Sequence, residues 1–423
     1  MENHLANAYT NQPQHDPRWD ASIREAIKLA VAQQLGLAAP GEWDSRIAAL
    51  TGGALAEGCR DPYVRYLRFR YGQTESLEAK SKEATKMVME LQMAGYPPDV
   101  LTRAYCFAAK SSHAYWSSLE KSTQELLQEI TNHRLAAVQS ILLVYADETF
   151  PAAEIYFESQ EMLQAVERNR DHLTKCWDWM EPVLNEHWKK TIYPTLLKAE
   201  YHYDLGWAAR GGGYASEVTD EGAKVFEKEM SLAEGLFREA WRKDNTRAGT
   251  ARWMIELCVC RSKPREEMEL WFDRAMIADP GAYRACFTKL RFLEPKWGGS
   301  AEAMIAFGHQ CLTNQAYKGR AVATLADAYQ VLEGYLDDPR KLAQFYANPK
   351  IWKDIEATYA EVERRDPGAT WYHNKFARSA WLGGHWDVLA RELEAIREPN
   401  YEDLGGEGIY KRMIVDARQH AKP

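Results

Sequence analysis

The chain has 423 residues, a net charge of −8, and 46% apolar against 27% charged residues, the make-up of a folded protein. Nucleic-acid binders carry a basic footprint, and no Lys/Arg run stands out here, so nucleic acid is not expected as a partner. The longest apolar stretch, residues 135–146, contains Gln139 and Ser140 and suits a buried helix, so no membrane span is expected either.

Residues 1–18 are polar, hold Pro13 and Pro17, and read as a disordered tail. They lack the basic start and apolar core of a signal peptide, so a cytoplasmic location is expected; export stays open if a leader has been removed. Seven scattered cysteines, an odd number, argue against a disulfide framework and fit a reducing compartment.

Residues 19–191 form an all-helical N-terminal region. The pattern predicts helices over 19–36, 42–57, 63–71, 75–94, 99–111, 118–145 and 152–168, continuing through Trp177, Trp179 and Trp188. Asp61 followed by Pro62 is a cap with proline at the first helical position. From 192 to 397 the helices come in pairs: 192–210 and 216–243, 248–261 and 266–278, 282–293 and 301–312. Ser300 suits the cap of the last of these. Further helices are expected through Val322 to Leu332 and over 351–365, 370–382 and 387–397. Residues 398–423 are a tail with a short helix over 409–421.

Within the paired region Phe237, Phe272 and Phe307 recur at 35-residue intervals. The residue four before each is Ala233, Met268 and Ala303. The residue three after is Ala240, Ala275 and Gln310, and the residue eight after is Asn245, Pro280 and Gln315. Positions i, i+4 and i+7 share a helix face, so each copy is a helix with a stripe centred on an aromatic. A period near 34 residues is the mark of helix-turn-helix repeats. The expected fold is all-α: helix-turn-helix repeats stacked as an α-solenoid, with an all-helical N-terminal half.

This pattern resembles the second helix of tetratricopeptide repeats, over roughly residues 192–397. That family carries a small residue, an aromatic four later, a small residue three after that, and then proline. Phe272, Ala275 and Pro280 match; so do Ala233, Phe237 and Ala240, and Ala303 with Phe307. Met268, Asn245, Gln310 and Gln315 depart, and the first-helix pattern is poorly kept. The stretch Pro295-Lys296-Trp297-Gly298-Gly299-Ser300 also resembles a motif of bacterial repeat-like proteins grouped as a domain of unknown function. The tetratricopeptide resemblance implies a groove lined by first helices that binds a protein or peptide. Its positions here are Trp253, Thr288, Lys289, Phe292, Trp371, Asn374, Arg378 and Trp381. The last four share a helix face, where an Asn and an Arg between two Trp suit an extended peptide or a carboxylate. The competing reading makes both Trp packing residues and leaves the polar pair in solvent.

Other groups carry less. Cys258 and Cys260 point apart on a helix, and buried thiols account for Cys286 and Cys311 near His309 more simply than a metal does. No metal and no cofactor is expected. Arg210-Gly211-Gly212-Gly213 reads as a linker and Gly298-Gly299-Ser300 as a cap, although both offer amides to an anion. Asp337-Asp338 and Glu266-Glu267 read as solvated charge. The functional expectation is a non-catalytic scaffold binding a protein or peptide. The alternative is an all-helical enzyme with its pocket in residues 19–191 and the repeats as a recognition arm. The oligomeric state is open.

Overall fold

The computed structural model describes residues 8–10, 16–34, 43–72, 74, 76–121, 123–166, 169–213, 215–397 and 399–420. Most of the expected tail over 1–18 lies outside them. Within it, residues 8–10 make a helical turn, and buried Tyr9 donates its hydroxyl to Asp20 at 2.7 Å, anchoring this stretch. Every regular element among the described residues is a helix. Contacts divide the chain into two units, Met1–Leu236 and Phe237–Pro423.

The N-terminal unit contains α1 (Asp20–Gln34), α2 (Asp44–Ala56), α3 (Pro62–Arg70), α4 (Leu77–Met93), α5 (Pro98–Ser118), α6 (Gln124–Ala146), α7 (Ala152–Ala165), α8 (Arg170–Trp188) and α9 (Tyr193–Arg210). The division falls inside α10 (Asp220–Lys243). Consecutive helices from α1 to α6 pack on one another; α5 meets α7, α6 meets α8, and α7 meets α9. One core gathers Ile23, Ile27, Ile47, Leu67, Met87 and Leu91, and a second gathers Ile141, Tyr145, Met162, Trp177, Met180 and Leu184. Asp61 caps α3 as its spacing predicts, accepting from the amides of Tyr63 and Val64, and it also accepts the Tyr96 hydroxyl at 2.7 Å. The helix expected over 99–111 runs on to Ser118 as α5, and the one expected over 118–145 starts later, at Gln124 behind the Thr123 cap.

The C-terminal unit contains α11 (Ala248–Cys260), α12 (Arg265–Ala278), α13 (Tyr283–Phe292), α14 (Ala301–Thr313), α15 (Thr324–Glu333), α16 (Pro339–Tyr346), α17 (Pro349–Arg365), α18 (Tyr372–Gly383), α19 (Trp386–Ala395), α20 (Tyr401–Leu404) and α21 (Glu407–His420). Neighbours pack in pairs, α11 on α12, α14 on α15 and α18 on α19, while α11 meets α13 and α13 meets α15. This local pattern is compatible with a helical repeat fold. Helix α16, capped by Asp338, has no counterpart in the sequence pattern. Phe237 stacks on Trp253 at 5.4 Å, and Phe272 meets Phe307 edge to face at 5.2 Å. Helices α14 and α15 approach closely at Gly308, where a Cβ would lie 2.6 Å from the Leu325 Cα. In the turn before α14, Gly298 is left-handed at φ 88°, and Ser300 caps the helix through the Ala303 amide.

Candidate functional site

Three helices and a turn of the C-terminal unit enclose a cleft of about 440 Å³. Helix α12 presents Glu269, Phe272 and Asp273, at i, i+3 and i+4, which one helix face must carry together. Helix α13 contributes Lys289, α14 contributes Phe307, Gln310 and Thr313, and the following turn contributes Asn314 and Tyr317. The size falls in the range of ligand pockets, roughly 300–1,000 Å³.

The floor is a cation held by two rings. The Lys289 ammonium lies 4.1 Å from the centroid of Phe272 and 4.3 Å from that of Phe307, and it donates to the Glu269 carboxylate. Its side chain is 5% exposed, so ring faces and carboxylate replace most of its water. Glu269 also receives the Arg265 guanidinium at 3.3 Å. The walls are different. Asp273, Gln310, Thr313 and Asn314 are exposed. Burial, then the thiols of Cys311 and Cys286 and the carboxylates of Asp273 and Glu269, push the Tyr317 phenol up.

The turn that carries Asn314 and Tyr317 is tied down from a distance. The Arg365 guanidinium, at the end of α17, donates to the carbonyls of Leu312 (2.8 Å), Asn314 (2.7 Å) and Tyr317 (2.7 Å) and to the Glu361 carboxylate. A helix C-terminus leaves carbonyls without intrahelical partners and with partial negative charge, so a cation there satisfies both needs.

Of the residues singled out by the sequence, Lys289 lines this cleft. Thr288 beside it is buried and bonds back to the Arg284 carbonyl, and Phe292 is partly buried at the end of α13. Trp253 is sandwiched between Phe237 and the Arg252 guanidinium, 4.0 Å from its ring. The other four lie at or on α18 and face internal partners. Trp371 takes Arg320 over its ring at 4.4 Å. The Asn374 side-chain oxygen accepts the Asn400 amide at 3.0 Å. Arg378 makes a bidentate pair with Glu333 (2.6 and 2.9 Å), and Trp381 donates to Asp416 at 2.7 Å. Of the residues of the cleft, Phe272, Phe307 and Gln310 were marked in the sequence only as register positions and not as a site, while Glu269, Asp273, Thr313, Asn314 and Tyr317 went unmarked. Their one local signal was the pairing of two carboxylates a turn apart beside Phe272.

The N-terminal unit holds two polar clusters. In the first, the Thr85 hydroxyl meets the His133 Nε2 at 3.0 Å and donates to Glu129 at 2.9 Å; Glu129 also accepts from Ser112, which bonds Ser81. A Ser-His-Asp relay needs the carboxylate on the ring nitrogen opposite the hydroxyl. Here carboxylate and hydroxyl both approach Nε2, so the cluster joins α4, α5 and α6 without forming that relay. In the second, buried Arg103 pairs with Glu158, and beside them the partly buried Glu161 takes Arg70 at 3.1 Å and Lys110 at 3.3 Å between α3, α5 and α7. Burial alone would raise the Glu161 carboxyl, but Arg70 and Lys110 outweigh it and hold it at about 2.

The remaining candidates have local roles. Asp338 caps α16 while Asp337 pairs with Lys341, and Glu267 pairs with Arg238. The Arg210 guanidinium folds onto the carbonyls of Gly211 and Gly213. All seven cysteines are free thiols. Among the described residues no group of three His, Cys, Asp or Glu side chains is placed to hold a metal ion, and no helix is long and apolar enough to cross a membrane. No family model matches the chain, and comparison with curated proteins finds no similar sequence.

Proposed function

We propose that the C-terminal unit is a tetratricopeptide-like scaffold that holds a segment of a protein or peptide partner, and that the cleft above Lys289 is where the segment sits. The observation that supports this is the division of labour in the cleft. Its floor is built from mutually satisfied groups, the buried Phe272, Phe307 and Lys289 and the partly buried Glu269, while its walls carry exposed hydrogen-bonding side chains. A firm aromatic floor with polar walls is how peptide sites combine contact area with orientation. The free thiols go with a cytoplasmic setting for such a scaffold.

The test is selection from a displayed library of random unstructured peptides against the full chain. Selected peptides are expected to lose about tenfold or more in affinity, equivalent to about 1.4 kcal/mol, when Tyr317→Ala and Gln310→Ala are combined. Peptides that bind equally well to that variant would remove the cleft as the site.

A further inference from the structure

Resting on the reading of the cleft as a peptide site, we propose that its occupant is basic: a lysine or arginine side chain of an extended partner segment, held by Asp273 over the aromatic floor.

The cleft's own cation faces inward. Lys289 sits between two rings and the Glu269 carboxylate and is 5% exposed, so meeting an incoming anion would require it to leave all three. The Lys289 and Glu269 charges cancel; Arg265, four residues before Glu269 and largely exposed, adds a second cation to Glu269 and is not among the residues that line the cleft. Asp273, one turn along α12, is exposed and is joined to no cation in any ion pair among the described residues. The lining therefore presents one carboxylate without a counter-charge.

Three kinds of occupant can be compared. A carboxylate or phosphate would approach Asp273 against like charge with Lys289 already engaged. An apolar side chain would cover Asp273 and strip its water without replacing it, which is unfavourable for a charged group. An ammonium or guanidinium supplies donors only, and the walls offer acceptors for them: both Asp273 oxygens, the Gln310 carboxamide oxygen and the Tyr317 hydroxyl. The aliphatic stem of either side chain can lie along the Phe307 and Tyr317 rings, which is how long basic side chains cover aromatic surface.

The experiment uses the full chain and three dye-labelled glycine–serine peptides, identical except for arginine, glutamate or methionine at spaced positions, with binding read by fluorescence anisotropy. The arginine peptide is expected to bind at least about tenfold more tightly than the other two, and less tightly as salt rises. Asp273→Asn, an exposed near-isosteric change whose fold is checked by circular dichroism, should remove that preference. Asp273→Lys should turn it toward the glutamate peptide. If the glutamate or methionine peptide binds as well as the arginine peptide, or if Asp273→Asn leaves the preference intact, the basic occupant is wrong. Should those peptides still lose binding on Tyr317→Ala, the peptide site itself survives. Failure of all three to bind also overturns the inference. Free spermidine displacing the arginine peptide at equal concentration would assign the site to a small polyamine rather than a polypeptide.

Discussion

At the scale of single residues, Lys289 shows how a charge becomes part of a core. Its ammonium bridges Phe272 and Phe307, rings that already touch edge to face, so one side chain serves as a packing element for both α12 and α14. A desolvated cation over a ring contributes up to about 2 kcal/mol, and a charge-assisted hydrogen bond is of similar size. Lys289→Met keeps the stem and removes the charge. Glu269 would retain Arg265, so no carboxylate is stranded. The expected loss is about 1–3 kcal/mol in urea unfolding, against about 3–5 kcal/mol for Phe272→Ala, which also opens a cavity. A Lys289→Met protein as stable as the parent would show that the rings hold the floor without the ammonium.

Among the elements, helix α14 depends on Arg365 for its end. Three carbonyls, of which that of Asn314 also accepts the Tyr317 amide at 3.2 Å, share one guanidinium, whose planar fork reaches them in a geometry an ammonium cannot reproduce. Arg365→Lys is therefore expected to cost about 1–3 kcal/mol and to speed amide exchange over residues 312–317, while exchange in α11 stays unchanged. Unaltered exchange at 312–317 would contradict the clasp. Most helices were legible beforehand because their ends carry chemistry: Asp61 before Pro62, Ser300 before Ala301, Asp366 before Pro367. The phenylalanine register was legible for the same local reason, as a repeated spacing. Helix α8 shows the opposite case, continuing through Pro182 because Trp177, Leu184 and Trp188 are buried on both sides of it. The shared face of Trp371, Asn374, Arg378 and Trp381 was also legible, but not the partners it meets. Glu333 lies 45 residues before Arg378 and Asp416 lies 35 after Trp381, and periodicity does not choose between solvent and such distant partners. The cleft was less legible still. Gln310, Thr313 and Asn314 have the look of ordinary surface side chains until three helices arrange them around a hollow.

Over the whole molecule, each unit carries buried charge held by opposite charge. In the N-terminal unit it is Arg103 with Glu158, flanked by the partly buried Arg70, Lys110 and Glu161; in the C-terminal unit it is Lys375 with Asp327 at 2.9 Å, with the partly buried Arg378 and Glu333 nearby in sequence. Such pairs add little when complete and cost several kcal/mol when one partner is lost. Glu161 sets a pH window. Its carboxyl is held at about 2 in the folded chain against about 4.3 in an unfolded one, so its contribution is complete above about pH 4.3 and disappears as pH falls towards 2. Urea midpoints should fall between about pH 4.3 and pH 2, and Glu161→Gln should be weaker at neutral pH yet flatter across that window. A parallel pH profile for both proteins would exclude this carboxylate as a source of the acid loss. The Arg365 clasp, finally, bears on the order in which the chain is made. The cleft rim is complete in sequence by Tyr317, but the guanidinium that holds it is encoded 48 residues later. A ribosome that has just released Tyr317 has made every side chain of the cleft and none of its clasp. On the proposed reading, a partner that needs the rim in place would have to wait for the end of α17, so that recognition would be deferred until the supporting helices have been translated.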